Sequence, residues 1–214
     1  MTPPAGRPEL SGYPANLLVR DRRVVVVGAG RVAARKIEGL LDAGAVVTVI
    51  APEAVDDVRA WADAGRITWE AREFRPADLD GAWLAVAATS TAEVNRAVYE
   101  AGEAARVWVN AADDPAHCSF TLMSLVRRGD LTVAIGTNGR SPALAAYLKD
   151  RIRAELGPEY ETLLEMLSEA REAMRAEGRS SEDADWRKAL DSGILDLVRA
   201  GREAEARELL RTCL

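Results

Sequence analysis

The chain is poor in the residues that most enzyme sites are built from. Its 214 residues hold two cysteines, Cys118 and Cys213, and one histidine, His117. Two cysteines make no disulfide framework, and with one histidine they make no structural zinc site of the usual kind. We therefore expect no metal-ligand cluster. One histidine would suffice for a serine or cysteine hydrolase, but no G-x-S-x-G elbow occurs. Aromatic residues are 5% of the chain, and the five tryptophans form no regular stacking array. No apolar run approaches the ~20 residues of a membrane span, and the start, MTPPAGRPEL, carries proline and charge where a signal peptide needs an apolar stretch. The expected location is cytoplasmic, with no membrane partner. An excess of positive charge is missing too: net charge is −6 and the pI about 5.1, which argues against nucleic acid as a partner.

What remains is an ordinary globular composition, 48% hydrophobic and 29% charged. Residues 1–12 read as a loosely packed arm. Arg23–Val27 (RVVVV) is a β-branched run of the kind buried on both faces of a parallel sheet. A helix is expected over 31–43, closed by Gly44, then strands and helices in turn: strand 46–50, helix 53–64, strand 66–70, strand 83–87, helix 91–104, strand 107–110. This alternation predicts an α/β fold with a doubly wound parallel sheet. Beyond Asn110 the pattern changes. Strand-like runs at 118–123 and 131–136 are joined by the polar stretch SLVRRGD, and exposed β-edges there should be paired across an interface. Ser141-Pro142 then opens a helix, with serine as N-cap and proline in the first turn. Helices are expected at 142–156, 159–177, 183–191 and 202–212.

Gly28-Ala29-Gly30-Arg31-Val32-Ala33 is a G-x-G-x-x-A fingerprint directly after a strand and directly before a helix. That context turns a weak motif into a dinucleotide site. Gly28 permits the tight turn, Gly30 lets backbone approach a pyrophosphate, and Ala33 keeps the helix close to the sheet. The helix N-terminus offers free N–H groups to phosphate. Pro52 and Glu53 follow the second strand, where an acid usually holds the ribose, although Glu53 stands slightly late. No arginine or lysine lies between Val46 and Asp57, so NAD is expected rather than NADP.

Two further places suit chemistry. Asn110-Ala111-Ala112-Asp113-Asp114-Pro115 follows a strand at its carboxyl end, where ligands of open α/β sheets sit. Its paired carboxylates could supply a general base or simply a turn, and His117 is the other candidate base. The loop Gly136-Thr137-Asn138-Gly139-Arg140-Ser141 ends in a helix N-terminus. Thr137, Asn138, Gly139, Arg140 and Ser141 would suit a carboxylate or phosphate, or merely cap the helix. Between Arg127 and Arg153 stand six basic and two acidic residues, a local basic zone that points to an anionic small ligand.

In this order, G-A-G-R-V-A-A-R-K, A-A-T-S-T-A-E-V-N, N-A-A-D-D-P, C-S-F and I-G-T-N-G-R-S-P-A-L-A resemble the precorrin-2 dehydrogenases of sirohaem biosynthesis, a module also found at the start of multifunctional sirohaem synthases. The resemblance spans roughly residues 12–156. It implies a homodimer with an NAD-binding Rossmann-type domain over 1–112, a dimerisation and active-site segment over 113–146, and a helical domain over 147–214. It implies oxidation of the tetrapyrrole precorrin-2 to sirohydrochlorin with NAD⁺, and in some members insertion of Fe²⁺ as well. On the same resemblance Asp113 is the catalytic aspartate, Thr137 the hydroxyl of the second loop, and Gly28, Ala29, Gly30, Arg31, Val32, Pro52, Glu53 and Thr89 the cofactor contacts. The methyltransferase domain of the fused enzymes has no counterpart in these 214 residues. A bifunctional dehydrogenase and ferrochelatase, a non-catalytic NAD-sensing module, and a dehydrogenase of another anionic substrate are the competing readings.

Overall fold

The computed structural model describes residues 12–182 and 184–214, in two compact units that meet in sequence at Leu122 and Met123. The arm expected at the start of the chain falls, except for Gly12, outside the described residues.

The first unit is a five-stranded parallel sheet in the order β3-β2-β1-β4-β5. Its strands are β1 Arg23–Val27, β2 Val46–Ile50, β3 Thr68–Glu70, β4 Leu84–Ala87 and β5 Trp108–Ala111, and its helices are α1 Arg31–Asp42, α2 Asp56–Asp63 and α3 Ala92–Ala105. The doubly wound parallel sheet expected from the alternation is present. The run RVVVV serves both faces. Val24 and Val26 join Val47, Val49, Leu84 and Val86 against Ala33 and Ile37 of α1 and Val58 of α2. Val25 and Val27 join Ile50, Ala85, Ala87 and Val109 against Leu79 and Val98. Period-two alternation in an unbroken apolar strand is what a sheet covered on both sides requires. The chain leaves β1 toward β2 and β3, then returns to β4 on the other side of β1. The strand order therefore reverses between β1 and β4, and their carboxyl ends part to leave a crevice.

One helix starts later than expected. Val55 is extended, with φ −70° and ψ 160°, and its N–H donates to Ala29 O at 3.0 Å. Residues 53–55 are thereby tied to the glycine loop, and α2 begins at Asp56.

The second unit opens with an antiparallel hairpin, β6 Ser124–Arg128 and β7 Leu131–Ile135, followed by α4 Pro142–Glu155, α5 Glu159–Ala176, α6 Trp186–Asp191, α7 Ile194–Arg199 and α8 Glu203–Cys213. The hairpin corrects the expected strand at 118–123. The ladder pairs Ser124 with Ile135 and Arg128 with Leu131, so SLVRR is strand rather than turn. Only Gly129-Asp130 remains as the loop, with Gly129 at φ 53°, and a glycine leading a two-residue hairpin loop suits the twist of the strands. Residues 118–120 are held to β5 by a single antiparallel bridge, Asn110 to Cys118, and by Ser119 N–H donating to Val109 O at 2.8 Å.

Ser141 caps α4 as expected, its Oγ accepting from Leu144 N–H at 3.1 Å with proline in the first turn. The helix expected at 183–191 is shorter, because Asp185 caps it by accepting from Lys188 N–H at 2.9 Å. The short helix α7 was not expected. It starts directly after Gly193, whose φ is 86°. Leu163, Met166, Ala189, Ile194, Val198, Ala206 and Leu210 form the core that α5 to α8 share.

Candidate functional site

The first unit builds a cradle at the carboxyl end of β1. Gly28 turns the chain at φ 102°, and a Cβ there would stand 2.4 Å from Ala88 O. No other residue fits, since both the backbone angle and the contact exclude a side chain. Gly30 is different. It caps α1 at φ −82° and ψ −175°, angles open to any residue, and a Cβ on it would meet nothing within 4 Å. The protein itself gives no steric reason for glycine there, whereas a group brought close to that backbone would. No side chain caps α1, so its first-turn N–H groups and partial positive charge remain available to an anion.

A cleft of about 720 Å³ opens at this point, where the strand order reverses. Gly28, Ala29 and Gly30 line it from the β1 turn, Pro52 and Glu53 from the end of β2, and Thr89 from the end of β4. Its charged lining residues are Glu53, Glu73 and Glu93, with no lysine or arginine among them. Thr89 is locked by buried Asn95: the Thr89 hydroxyl lies 2.8 Å from Asn95 Oδ1, and Asn95 Nδ2 donates back to Thr89 O at 3.1 Å. Two fingerprint residues stand elsewhere. Arg31 lines a separate cleft of about 470 Å³ with Arg35, Glu38, Asp57 and Trp61, and Val32 lines neither and is partly exposed. The residues of the large cleft suit a nicotinamide dinucleotide: a crevice of ligand size, an open backbone at Gly30 and an uncapped helix start.

The end of β5 lies on the same carboxyl edge, one strand from the cleft. Ala112 N–H donates to Ala87 O of β4 at 2.8 Å. Asp113 follows with φ 59°, a left-handed conformation that aspartate adopts more readily than most residues. Its carboxylate has no hydrogen-bond or ion-pair partner among the described residues. Asp114 is spoken for: its Oδ2 lies 2.6 Å from His117 Nδ1, and the His117 ring stands edge-on to Tyr99 at 5.4 Å between centroids. His117 belongs to a single 3₁₀ turn, Pro115–His117, rather than to a strand. The Cys118 sulfur accepts from Ala111 N–H at 3.2 Å, and burial pushes its thiol up from the usual range against that hydrogen bond.

One polar residue here escaped the sequence analysis. Lys36 of α1 places Nζ 3.4 Å from Asn110 Oδ1. Burial lowers its ammonium below the ordinary lysine range, while the charge of Asp113 acts the other way. The available signal was a lysine inside the apolar stripe Ala33–Ile37–Leu40 of an amphipathic helix.

In the second unit, Thr137–Arg140 forms a β-turn closed by Arg140 N–H to Thr137 O at 2.9 Å. Asn138 and Gly139 are its central residues, at φ 49° and 69°, the mirror-image pattern that asparagine and glycine favour. Thr137 Oγ1 accepts from Ser141 N–H at 3.2 Å, and Ser141 Oγ caps α4, so both hydroxyls accept within their own loop. Arg140 is exposed and its side chain has no partner among the described residues. The basic zone is smaller than its composition suggests. Arg128 donates to Leu156 O at 2.6 Å and Arg153 O at 3.0 Å, closing the end of α4, and Arg153 faces Asp150 at 3.9 Å.

Comparison with known proteins adds the following. Residues 15–124 match the family described as "Putative NAD(P)-binding", and residues 128–155 match "Sirohaem biosynthesis protein central". The chain is 37% identical over 203 residues to the siroheme synthase of Methylobacillus flagellatus, covering 94% of this chain and 44% of the relative. It is 38% identical over 192 residues to siroheme synthase 3 of Aeromonas hydrophila, covering 88% and 41%. The chain thus spans less than half the length of these curated relatives. The solved structure of SirC, a precorrin-2 dehydrogenase, superposes with a TM-score of 0.74 at 26% identity, covering 94% of this chain and 98% of that one.

Proposed function

We propose a function on the premise that the chain belongs to the NAD(P)-binding family matched by residues 15–124: it oxidises precorrin-2 to sirohydrochlorin with NAD⁺ in the making of sirohaem. The observation that carries this reading is an unpaired carboxylate, Asp113, on the same sheet edge as a dinucleotide-sized cleft. A non-catalytic sensor has no use for such a group. The siroheme synthase relatives and the likeness to SirC supply the substrate.

Oxidation of precorrin-2 removes a hydride and a proton. The nicotinamide supplies the hydride acceptor. The chain supplies the rest: the N–H groups at the start of α1 hold the pyrophosphate, the open backbone at Gly30 admits it, and Asp113 takes the proton that accompanies hydride loss. Asp113 is left to this role because Asp114 is engaged by His117. Glu53, Glu73 and Glu93 around the cleft favour NAD over NADP, since they would repel a 2′-phosphate and no cation offsets them.

Functional duties divide differently from the compact units. We assign cofactor binding to residues 1–112, active-site and dimerisation duties to 113–146, and a helical domain to 147–214; Asp113–Leu122 serve the chemistry although they fold with the sheet. In the second unit Leu125, Leu144 and Tyr147 are exposed, and this supports a homodimer formed through the hairpin region. Light scattering tests it: a mass near 23.1 kDa at micromolar concentration overturns the dimer. Arg127, Arg140, Lys149 and Arg151 remain to hold substrate carboxylates.

The deciding experiment is an absorbance assay with precorrin-2 and NAD⁺, followed by Fe²⁺ in the same cuvette. Formation of NADH together with the product's longer conjugation is expected. Unchanged spectra with a folded, NAD-binding protein overturn the reading, and the second addition reports whether the chain also inserts metal.

A further inference from the structure

Lys36 is not accounted for by cofactor binding. It stands on α1, eight residues beyond Gly28, yet it turns away from the cleft and toward the end of β5. Its Nζ lies 3.4 Å from Asn110 Oδ1. Asn110 is 7% exposed, and its Nδ2 donates to Phe120 O at 3.0 Å. The lysine contact therefore fixes which way the buried amide points, and the amide in turn joins β5 to the segment after Cys118. Asp113, three residues on, holds a left-handed backbone at φ 59°. Such a conformation persists only where its surroundings over-determine it. A half-buried lysine is costly to keep charged, and no ion pair within hydrogen-bonding distance offsets that cost among the described residues.

We propose that Lys36 is a positioning residue for the oxidation: its ammonium, bonded to Asn110 and in Coulombic reach of Asp113, fixes the turn that presents the proton acceptor. This rests on the reading of Asp113 as that acceptor. Lys36 touches neither cofactor nor substrate in this role. It acts through Asn110, by holding the strand end, and through its charge, by holding the Asp113 carboxylate toward α1. The charged and titratable groups around it are Arg35 on its own helix, Asp113 on the turn after β5, and Cys118 beyond the 3₁₀ turn.

The arrangement has a pH signature. Burial is the largest influence on Lys36 and lowers its proton affinity. Its charge is therefore lost on the alkaline side below the ordinary lysine range, and with it the hold on Asp113. The rate should decline there.

Two measurements test this on the full chain. In the first, the side-chain amide of Asn110 is followed by nuclear magnetic resonance across alkaline pH without substrate. Its signals should titrate in the wild type and lose that step in Lys36→Met. An Asn110 amide that does not respond to pH, or responds equally in the variant, overturns the proposal. In the second, kcat against pH is compared for wild type, Lys36→Arg and Lys36→Met at saturating NAD⁺. Lys36→Met should keep its melting temperature and NAD affinity but lose about 10- to 100-fold in kcat, the span that hydrogen bonds to a charged group cover. Lys36→Arg, always charged, should recover most of the rate and lose the alkaline decline. Wild-type kcat and an unchanged pH profile in Lys36→Met overturn the proposal, and so does an arginine variant that restores nothing while folded. A wild type that does not oxidise precorrin-2 refutes the reading of function instead, and the amide titration still decides whether Lys36 governs Asn110.

Discussion

The two units use β-structure in opposite ways. In the first, every strand residue from Val24 to Val27 is buried, because helices cover both faces of the sheet. In the second, β6 and β7 alternate: Val126 is buried while Leu125 and Arg127 of the same strand are exposed. A strand covered on both faces carries packing and little else, and chemistry is left to the loops at its carboxyl end. A strand covered on one face leaves its other side chains for contacts outside the unit. The sequence alternation that distinguishes the two kinds of strand therefore also separates where a cofactor binds from where a partner or substrate can be met.

This contrast can be broken, starting with the largest effect. Asp113→Asn keeps size and tolerates the left-handed backbone but accepts no proton. We expect kcat to fall about 10²–10⁴-fold with folding and NAD affinity retained, whereas Asp114→Asn and His117→Ala should be mild; a near-normal rate in Asp113→Asn with loss in His117→Ala would move the base to the histidine. Ile37→Ala hollows the two-faced core and should cost about 2–5 kcal/mol in urea unfolding, while Leu125→Ala, on the open face, should stay within about 0.5 kcal/mol. Equal losses would show that both faces of the hairpin are covered. Gly30→Val should abolish NAD binding in calorimetric titration without unfolding the protein, since its Cβ meets no protein atom; NAD bound at wild-type affinity would remove the glycine cradle from the site. Arg140→Ala should raise KM for the tetrapyrrole, and added salt should mimic part of the change.

The smallest effect is a pH dependence confined to the first unit. The Arg72 guanidinium holds the Asp78 carboxyl below the usual carboxylate range, and Arg72 also pairs with Glu70. A depressed folded-state pKa contributes stability above the unfolded value, and that contribution is lost as pH falls through the folded one. Asp78→Asn should remove this acid-side slope, at a cost under about 1 kcal/mol near neutrality because the pair is partly exposed.

The parts of this molecule that sequence revealed are those governed by local chemistry. The β-branched run at Arg23–Val27, the glycines of the fingerprint and the Ser141-Pro142 cap each impose their conformation with little help from distant residues. The misplaced strand at 118–123 shows the opposite case. Cys118 and Ser119 look like the start of a strand, but the sulfur of Cys118 bonds the backbone of Ala111, and Ser119 Oγ accepts from Val109 N–H at 2.9 Å. Side chains there replace the ladder that a strand would need. Lys36 was hidden for a similar reason. Its partner, Asn110, lies 74 residues away on β5, and only the parallel sheet brings α1 to it. The short helix after Gly193 has apolar residues at Ile194, Leu195, Leu197 and Val198, too few turns for a period to declare itself.

The start of α1 ties the stability of the first unit to its ligand. A helix whose N-cap carries no side chain forgoes a contribution of about 1 kcal/mol that serine or aspartate would provide. A bound pyrophosphate restores it from outside the chain. By mass action, a dinucleotide at a hundred times its dissociation constant adds about 2.7 kcal/mol to the folded state. The concentration of dinucleotide around the protein thus acts as a term in the folding equilibrium of the first unit: when the ligand is scarce, the same few N–H groups lose their partner and the sheet behind them loosens.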